Sequence, residues 1–157
     1  SWRATVIPLV AVPISLIGLD SYVELYKEGI VRLEDYAGRS YDNDIIVNII
    51  VKKRPVHMFY EAVRITETDL PVLTCAGVKF ADTGLCNICI GARPGKAVIV
   101  KDTYDILSSG ISEESIEKFA DFVEKNLPTQ GNMRGSAGYR SHLAGVLTKR
   151  ALININK

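Results

Sequence analysis

The sequence predicts an α+β fold in which a run of antiparallel strands is followed by a run of helices. Between residues 57 and 100 the chain divides into four strand-like segments with a period of two. From Asp102 onward the apolar residues recur with a period of about 3.6, which is typical of amphipathic helices. Because strands and helices form successive runs and do not alternate, the pattern favours α+β over a parallel βαβ architecture.

Length and composition set the broad class of protein. The chain has 157 residues, enough for one compact domain or two small lobes at roughly 150 residues per domain. Its 19 basic and 18 acidic residues leave a net charge of +1, which argues against a strongly basic nucleic-acid binder. With 47% hydrophobic and 24% charged residues, the composition is globular and argues against a disordered tail.

Three cysteines cannot all pair within one chain, so a secreted disulfide framework is disfavoured and a reducing, cytoplasmic setting is expected. Cys86 and Cys89 have the CxxC spacing, and Cys75 could supply a third thiolate. In a strand, however, an odd separation places Cys86 and Cys89 on opposite faces of the sheet, where they cannot share a metal. Structural cysteines are therefore predicted, with a metal or redox site as the alternative.

The first lobe opens with an apolar stretch over residues 6–19. It is shorter than the roughly 20 residues that span a bilayer, and Pro8 and Pro13 interrupt it. A buried segment is favoured over a signal peptide, because no small-residue cleavage site follows. Residues 5–12 are predicted to form a short helix, and Pro13 is predicted to begin the next helical turn. The initial Ser1 suggests a fragment or a processed product.

A hairpin, a short helix and a third strand are predicted next. Residues 21–26 and 30–33 form the two hairpin strands, joined by a turn at residues 27–29. Residues 34–38 form a short helical turn. Residues 44–51 (DIIVNIIV) are β-branched and rich in Ile, so they are predicted to form a buried strand.

Pro55 marks the only predicted domain boundary, which divides the chain into residues 1–54 and 55–157. The second lobe is predicted to be an antiparallel sheet of three to four strands covered by about three helices on one face. The predicted strands are residues 57–66, 72–80, 85–90 and 96–100, with residues 81–84 as the turn between the middle pair.

Two amphipathic helices are predicted in the C-terminal part of the chain. The first is capped by Ser112 and stopped by Pro128. Its predicted buried face comprises Ile116, Phe119, Ala120, Val123 and Leu127. The predicted apolar face of the last helix comprises Tyr139, Leu143, Val146 and Leu147.

Two patterns that could indicate catalysis are better explained as structure. Residues 91–96 (GARPGK) resemble a phosphate-binding loop, but the glycine spacing is short and Ala97 follows the lysine, so a turn between strands is predicted. His57 and His142 lie far apart and neither has a nucleophile beside it, which argues against a Ser or Cys hydrolase.

Two charged segments remain open to either a structural or a functional interpretation. Glu61, Arg64 and Asp69 surround a strand end, where a solvated edge would also carry charges. The glycine-containing loop before the last helix could present backbone N–H groups to an anion. Alternatively, its Arg134 and Arg140 could form surface ion pairs.

These same segments carry a resemblance to a known family. Residues 134–152 (RGSAGYRSHLAGVLTKRAL) resemble the C-terminal signature of the FAD-binding medium subunit of molybdenum hydroxylases, which include xanthine dehydrogenases and aerobic carbon monoxide dehydrogenases. That signature reads approximately R-x-S-A-x-Y-R-x-x-L-x-x-V-L-x-x-R-A. The residues that fit it are Arg134, Ser136, Ala137, Tyr139, Arg140, Leu143, Val146, Leu147, Arg150 and Ala151.

The similarity extends backward over nearly the whole chain. The family's Y-x-x-x-R-x-x-x-D strand resembles the segment with Tyr60, Arg64 and Asp69, in which one extra residue separates the arginine from the aspartate. Residues 32–36 (RLEDY) resemble its R-x-x-L-E-D-F segment, and residues 19–21 (LDS) resemble its L-D-A.

The resemblance implies the second half of such a subunit, with the end of the flavin domain in residues 1–54 and the C-terminal domain in residues 55–157. Its implied function is to position FAD while electrons pass from a molybdopterin centre through iron–sulfur clusters to FAD and then to NAD or another acceptor. The implied partners are the molybdopterin and iron–sulfur subunits, with a homodimer left open. No catalytic acid or base, no metal ligand, no nucleic acid and no membrane contact is predicted.

By the same resemblance, the residues near the flavin ring are Asp44, Ile46, Glu61, Arg64 and Asp69. The strand at Asp44 and Ile46 would present a backbone amide and an aliphatic side chain to the ring. Many relatives have a lysine where this chain has Glu61, and Arg64 would supply positive charge that favours reduced flavin.

The family's pyrophosphate loops, of the A-G-G-T and T-I-G-G-N kind, do not occur in the sequence. An α+β assembly module that does not bind FAD on its own is therefore the main alternative. A small-ligand binding protein that shares only the fold is a third.

Overall fold

The structure is a computed structural model that describes residues 13–39, 44–66 and 69–157. The predicted helix at residues 5–12 lies outside the described residues. The first described helix, α1 (Pro13–Gly18), begins at Pro13 as predicted. Proline is well suited to this position because its φ is already fixed near the helical value and its missing N–H would have no helical partner.

Three antiparallel strands form the first sheet, which we call sheet A. Its strands are β1 (Tyr22–Leu25), β2 (Gly29–Arg32) and β3 (Ile46–Ile50), in the order β2-β1-β3. Gly29 has a φ of 85°, so a glycine suits the turn between β1 and β2. Helix α2 (Leu33–Gly38) follows β2 directly. The predicted hairpin and short helix are confirmed.

Strand β3 forms where it was predicted, but the prediction that it is buried is wrong. The side chains of Ile45, Val47, Ile49 and Val51 are between 38% and 56% exposed. The strand pairs with β1 along one edge, and no strand among the described residues pairs with its other edge. A β-branched run indicates an extended backbone, but it does not report whether a second layer covers the strand.

The second sheet, sheet B, is a four-stranded antiparallel meander. Its strands are β4 (Val56–Val63), β5 (Leu73–Phe80), β6 (Cys86–Gly91) and β7 (Val98–Val100), paired in chain order. The turn predicted at residues 81–84 joins β5 to β6, with Gly84 at a φ of 72°. The antiparallel sheet is thus confirmed, within one or two residues at most strand ends.

Helix α3 (Glu113–Asn126) and helix α4 (Ala137–Ile155) share a core with one face of sheet B. The predicted Ser112 cap is confirmed, because its side chain accepts from the backbone N–H of Ser115. Helix α4 lies across β4 and β5, and α3 packs on α4. Helix α1 packs on the opposite face, where Gly18 lies close to Val78.

Among the described residues, two helices cover this face of sheet B, where about three were predicted. The segment of residues 102–110 begins the predicted helical region but forms turns. The Asp102 carboxylate accepts hydrogen bonds from the backbone N–H groups of Ile106 and Leu107. Asp105 and Gly110 have positive φ angles of 53° and 104°, which are incompatible with a right-handed helix.

The buried face of α4 also differs from the predicted one. Leu147 is fully buried as predicted, but Tyr139 is 49% exposed. The buried residues are Arg140, Ala144, Gly145, Leu147, Thr148, Ala151, Leu152 and Ile155. The helix approaches sheet B through small residues: a Cβ added to Gly77 would stand 3.0 Å from the Cβ of Ala151. A hydrophobicity pattern underrates such residues because they contribute little apolar area.

The cysteines are free, and the predicted opposite-face arrangement is confirmed. Cys86 packs against the core shared with α3 and α4, whereas Cys89 belongs to the core beneath α1. Burial raises the pKa of the Cys89 thiol to about 12 and also raises the pKa of the fully buried Cys75 thiol. Thiols in these positions remain protonated and unreactive in the folded chain.

The described residues contain neither a metal-binding cluster nor a membrane-spanning helix. No group of three or more His, Cys, Asp or Glu side chains is arranged to hold a metal ion in the described part of the chain. Among the helices of residues 13–39, 44–66 and 69–157, none is long and apolar enough to cross a membrane.

Candidate functional site

Asp44, the first of the predicted site residues, closes the hairpin of sheet A. Its carboxylate accepts hydrogen bonds from the backbone N–H groups of Lys27 at 3.0 Å, Glu28 at 3.1 Å and Ile45 at 2.8 Å. Desolvation alone would raise the pKa of Asp44, but these bonds outweigh it and hold the pKa below its ordinary value. Asp44 therefore stays ionised and ties the start of β3 to the β1–β2 turn.

Ile46 lies two residues further on, at the start of β3 and opposite Leu25 of β1. It is half-buried against the core of sheet A. Large apolar side chains flank it on the exposed part of the strand. We call Ile45, Val47, Ile49 and Val51 the β3 apolar strip.

Glu61 lies in β4, opposite Cys75 of β5 and therefore on the helix-covered side of sheet B. Its carboxylate forms an ion pair with the Nη1 of Arg150 in α4, at 2.6 Å. The negative charge that the sequence places at this position is thus compensated by a cation on the neighbouring helix. Sequence reasoning missed this partner, since the two residues are far apart in the chain.

Arg64 and Asp69 meet in the connection between β4 and β5. The Nε of Arg64 donates to the backbone carbonyl of Asp69 at 3.1 Å. The Asp69 carboxylate accepts from the backbone N–H of Leu70 at 2.8 Å and lies 3.4 Å from the Nε of Arg134. The structure therefore brings two of the predicted residues together with an arginine of the loop before α4.

Arg140 is the centre of this region, and the sequence-based option of a surface ion pair is wrong for it. Its side chain is only 1% exposed. It donates to four oxygens: the carbonyls of Val72 at 2.9 Å, Gln130 at 2.7 Å and Gly135 at 2.5 Å, and the Asn132 side-chain oxygen at 2.6 Å. Loss of hydration and the nearby Arg134 charge lower the pKa of Arg140.

The signal for a buried Arg140 was present in the sequence. Arg140, Ala144, Leu147 and Ala151 follow the helical spacing of a single face. A charged residue on that face needs internal partners, and the loop of residues 128–136 supplies two carbonyls and one side-chain oxygen. The N-terminus of α4 is also capped internally, by Ser136 accepting from the backbone N–H of Tyr139 at 3.2 Å.

The predicted residues thus form two groups. Asp44 and Ile46 belong to sheet A, with Asp44 bonded to the β1–β2 turn. Arg64 and Asp69 belong to the loop cluster around Arg140, and Glu61 is bonded to α4. The β3 apolar strip and the exposed Arg64 therefore belong to different parts of the fold, and the sequence contains no glycine-rich loop of the A-G-G-T or T-I-G-G-N kind.

The same fold occurs in solved structures of other proteins. Quinoline 2-oxidoreductase from Pseudomonas putida 86 has a chain that matches with a TM-score of 0.74 and 18% identity, over 91% of this chain and 54% of its own. Carbon monoxide dehydrogenase from Hydrogenophaga pseudoflava, lacking the Mo-pyranopterin moiety, matches with a TM-score of 0.74 and 19% identity, over 91% and 55%. Reconstituted CO dehydrogenase from Oligotropha carboxidovorans matches with a TM-score of 0.76 and 21% identity, over 91% of this chain and 55% of its own.

The family follows from the sequence itself. The family model of the CO dehydrogenase flavoprotein C-terminal domain matches residues 58–155, so the chain belongs to this family. Domains of this family form the C-terminal part of the FAD-carrying subunit of CO dehydrogenase-type molybdenum hydroxylases, and this confirms the predicted resemblance. The chain spans 54–55% of the length of the solved chains described above. A comparison with curated protein sequences finds no match.

Proposed function

We propose that this chain forms the ring-facing and C-terminal part of an FAD subunit in a molybdenum hydroxylase-type oxidoreductase. The observation that carries the proposal is the exposure of the β3 apolar strip, whose residues lie in the same segment of the chain as Asp44 and Ile46. Large exposed apolar patches rarely stay bare in monomeric proteins. A flavin ring is flat and largely apolar on its faces, so the strip is a suitable support for it.

When bound, FAD supplies the electron-accepting and electron-donating chemistry, and the chain's own residues only hold and orient it. Asp44 fixes the start of β3 to the hairpin, which keeps the strip in a defined position. Arg64 keeps an exposed guanidinium, anchored through its Nε to the Asp69 carbonyl, and this charge would favour a reduced, anionic ring. Because Glu61 is paired with Arg150, its charge opposes this effect only weakly.

The rest of the function follows from the family and is part of the proposal. Electrons would arrive from a molybdopterin subunit through an iron–sulfur subunit and leave to NAD or another acceptor. The expected location is the cytoplasm, in keeping with three free thiols. The domain boundary between residues 54 and 55 remains a prediction.

The ring-facing role can be tested with riboflavin, which carries the ring but no phosphate. We expect the intact chain to quench riboflavin fluorescence in a saturable titration, and Ile45→Asp to abolish the quenching because it places a charge on the exposed strip beside the ring. The matched control is Ile153→Asp on α4, a position that is 41% exposed and far from β3 in the fold. Circular dichroism of each variant verifies that the fold is retained.

The absence of quenching by the intact chain would overturn the ring-facing role. That result would favour the second function, an assembly module that binds no flavin on its own. Specific observations support this alternative: the Asp44 carboxylate is occupied by the hairpin turn, and the sequence contains no pyrophosphate loop. The β3 apolar strip would then be a contact surface for a partner polypeptide.

A further inference from the structure

A concave site lies between α2 and the edge of sheet B that is formed by β7 and the connection before it. It is a cavity of about 660 Å³, within the range of small-molecule sites. Four cations line it, Arg39, Arg93, Lys96 and Lys101, against the two carboxylates of Glu34 and Asp35. None of these residues belongs to the proposed ring-facing surface.

Two of the cations are held in place by main-chain oxygens and not by carboxylates. Lys96 Nζ donates to the carbonyls of Gly38, at 2.6 Å, and of Arg39, at the C-terminus of α2. Arg93 donates from Nη1 to the Pro128 carbonyl at 2.6 Å and from Nε to the Lys96 carbonyl at 2.9 Å. Carbonyl oxygens orient these side chains but leave their full positive charges in place. The positive field is therefore preorganised, so an anion would bind without paying for side-chain ordering.

The third cation, Lys101, directly follows β7 and is exposed. Its ammonium forms no hydrogen bond or ion pair with any residue in the described ranges. Arg39, the fourth cation, is paired with Glu28 outside the cavity lining. Lys101 is consequently the cation best able to turn toward a ligand.

The rest of the cavity is lined by carboxylates and by aliphatic side chains. Glu34 and Asp35 present carboxylates from the first turn of α2, and Glu34 lies 3.6 Å from Arg32. Ala97 and Ile99 contribute an aliphatic wall on the side of β7 that faces the core beneath α1, and β7 is the edge strand of sheet B. The cavity thus combines cations, hydrogen-bond acceptors and an apolar surface.

We propose that this cavity binds a nucleoside diphosphate. The cations of Arg93, Lys96 and Lys101 match the phosphates, since charge-assisted bonds from arginine and lysine are the usual means of phosphate recognition. The carboxylates of Glu34 and Asp35 can accept hydrogen bonds from ribose hydroxyls, as acidic residues do in dinucleotide sites. The aliphatic wall can pack against the flat base.

The test uses ADP as the probe, titrated into the isotopically labelled 157-residue chain and followed by NMR. We expect saturable shifts of the backbone signals of residues 34–39 and 93–101. Adenosine, which lacks the phosphates, is expected to bind at least about tenfold more weakly, because one charged hydrogen bond contributes about 1.5–3 kcal/mol. The affinity for ADP should also fall as the salt concentration rises.

Lys101 is the residue to change, because its side chain makes no hydrogen bond or ion pair in the described part of the chain, and its backbone bond to Thr103 does not depend on the side chain. Lys101→Gln is expected to weaken ADP binding about tenfold or more, and Lys101→Arg to retain it. The matched control is Lys125→Gln, an exposed lysine on α3 whose nearest carboxylate is 3.7 Å away. Ile45→Asp should leave ADP binding unchanged, which separates this site from the riboflavin test.

Three outcomes would overturn the proposal. One is the absence of saturable shifts with ADP; another is shifts that map to residues away from the cavity. The third is equal affinity for ADP in the parent chain and in Lys101→Gln. In each case Lys96 and Arg93 would serve only to join α2 and the loop after α3 to sheet B.

Discussion

Replacing the buried Arg140 with methionine should lower the stability of the fold more than any change at a neighbouring arginine. Arg140 is 1% exposed and donates to four oxygens, one of Val72 just before β5 and three of the loop before α4. Methionine fills a similar volume but offers no donor. The carbonyl of Val72, a residue that is 2% exposed, would lose its arginine partner in a place that water reaches poorly.

The magnitude follows from the number of bonds and from the cost of burying the charge. Hydrogen bonds to charged groups contribute about 1.5–3 kcal/mol each, and a buried acceptor left without a partner costs about 1–3 kcal/mol. Part of this is returned, because the variant no longer buries a charge at a penalty of several kcal/mol. We expect the free energy of unfolding to fall by about 3 kcal/mol in Arg140→Met.

Urea denaturation followed by circular dichroism measures this change. With a slope of about 2 kcal/mol per molar urea, the midpoint should fall by about 1.5 M. The matched control is Arg134→Met, which removes only a partly exposed ion pair to Asp69 at 3.4 Å and should cost about 1 kcal/mol or less. Arg140→Lys keeps the charge but not the planar fork, so its midpoint should lie between the two.

The reasoning would be refuted if Arg140→Met and Arg134→Met had equal midpoints, or if Arg140→Met stayed within about 0.5 M of the parent chain. Either result would mean that water replaces the arginine at all four oxygens. Arg140 would then be a buried charge that contributes no net stability.

Three further predictions concern packing, thiol reactivity and acid stability. Gly77→Ala should destabilise the fold by about 1–3 kcal/mol, because the added Cβ stands 3.0 Å from that of Ala151. Gly138→Ala, which meets no atom within 4 Å, should be neutral or stabilise the fold by about 0.5 kcal/mol in the same urea assay. In the native chain a disulfide reagent should modify Cys86 alone, because the other two thiols are fully buried. The stability difference between the parent chain and Asp44→Asn should be present at neutral pH and should vanish as pH falls below about 3.8, since the folded pKa of Asp44 lies under that ordinary value.

Each of these has a contrary result. Equal midpoints for Gly77→Ala and Gly138→Ala would show that the contact between α4 and β5 is loose enough to admit a methyl group. Rapid modification of all three thiols in the absence of urea would show that the two cores open readily. A parent-versus-Asp44→Asn difference that persists at pH 2 would show that the protonated carboxyl closes the hairpin as well as the ionised one.

Most of the fold was predictable because local chemistry and global packing agree along most of the chain. Pro13, Gly29, Gly84 and Ser112 occupy positions where the backbone demands these residue types, and each marks the boundary that it predicts. The helical run after Asp102 was misjudged because a side chain competes with the helix there: the Asp102 carboxylate ties the chain into turns.

The candidate site was predictable only in part, for a different reason. Residues close in sequence, such as Arg64 and Asp69, are brought together as their spacing suggested. The pairing of Glu61 with Arg150 crosses 89 positions of the chain, and no local pattern reports it. The exposure of β3 depends on which other elements pack against the strand, and the sequence of the strand itself does not contain that information.

Three cationic side chains donate hydrogen bonds to main-chain carbonyls: those of Arg93, Lys96 and Arg140. A carbonyl is present whatever side chain its residue carries. Substitution should therefore be tolerated at acceptor positions such as Pro128 and Gly38 wherever the backbone path is kept, and not at the three donors. Homologous chains should therefore keep the three donor residues and the arrangement of the two sheets, while the residues that supply the carbonyls vary.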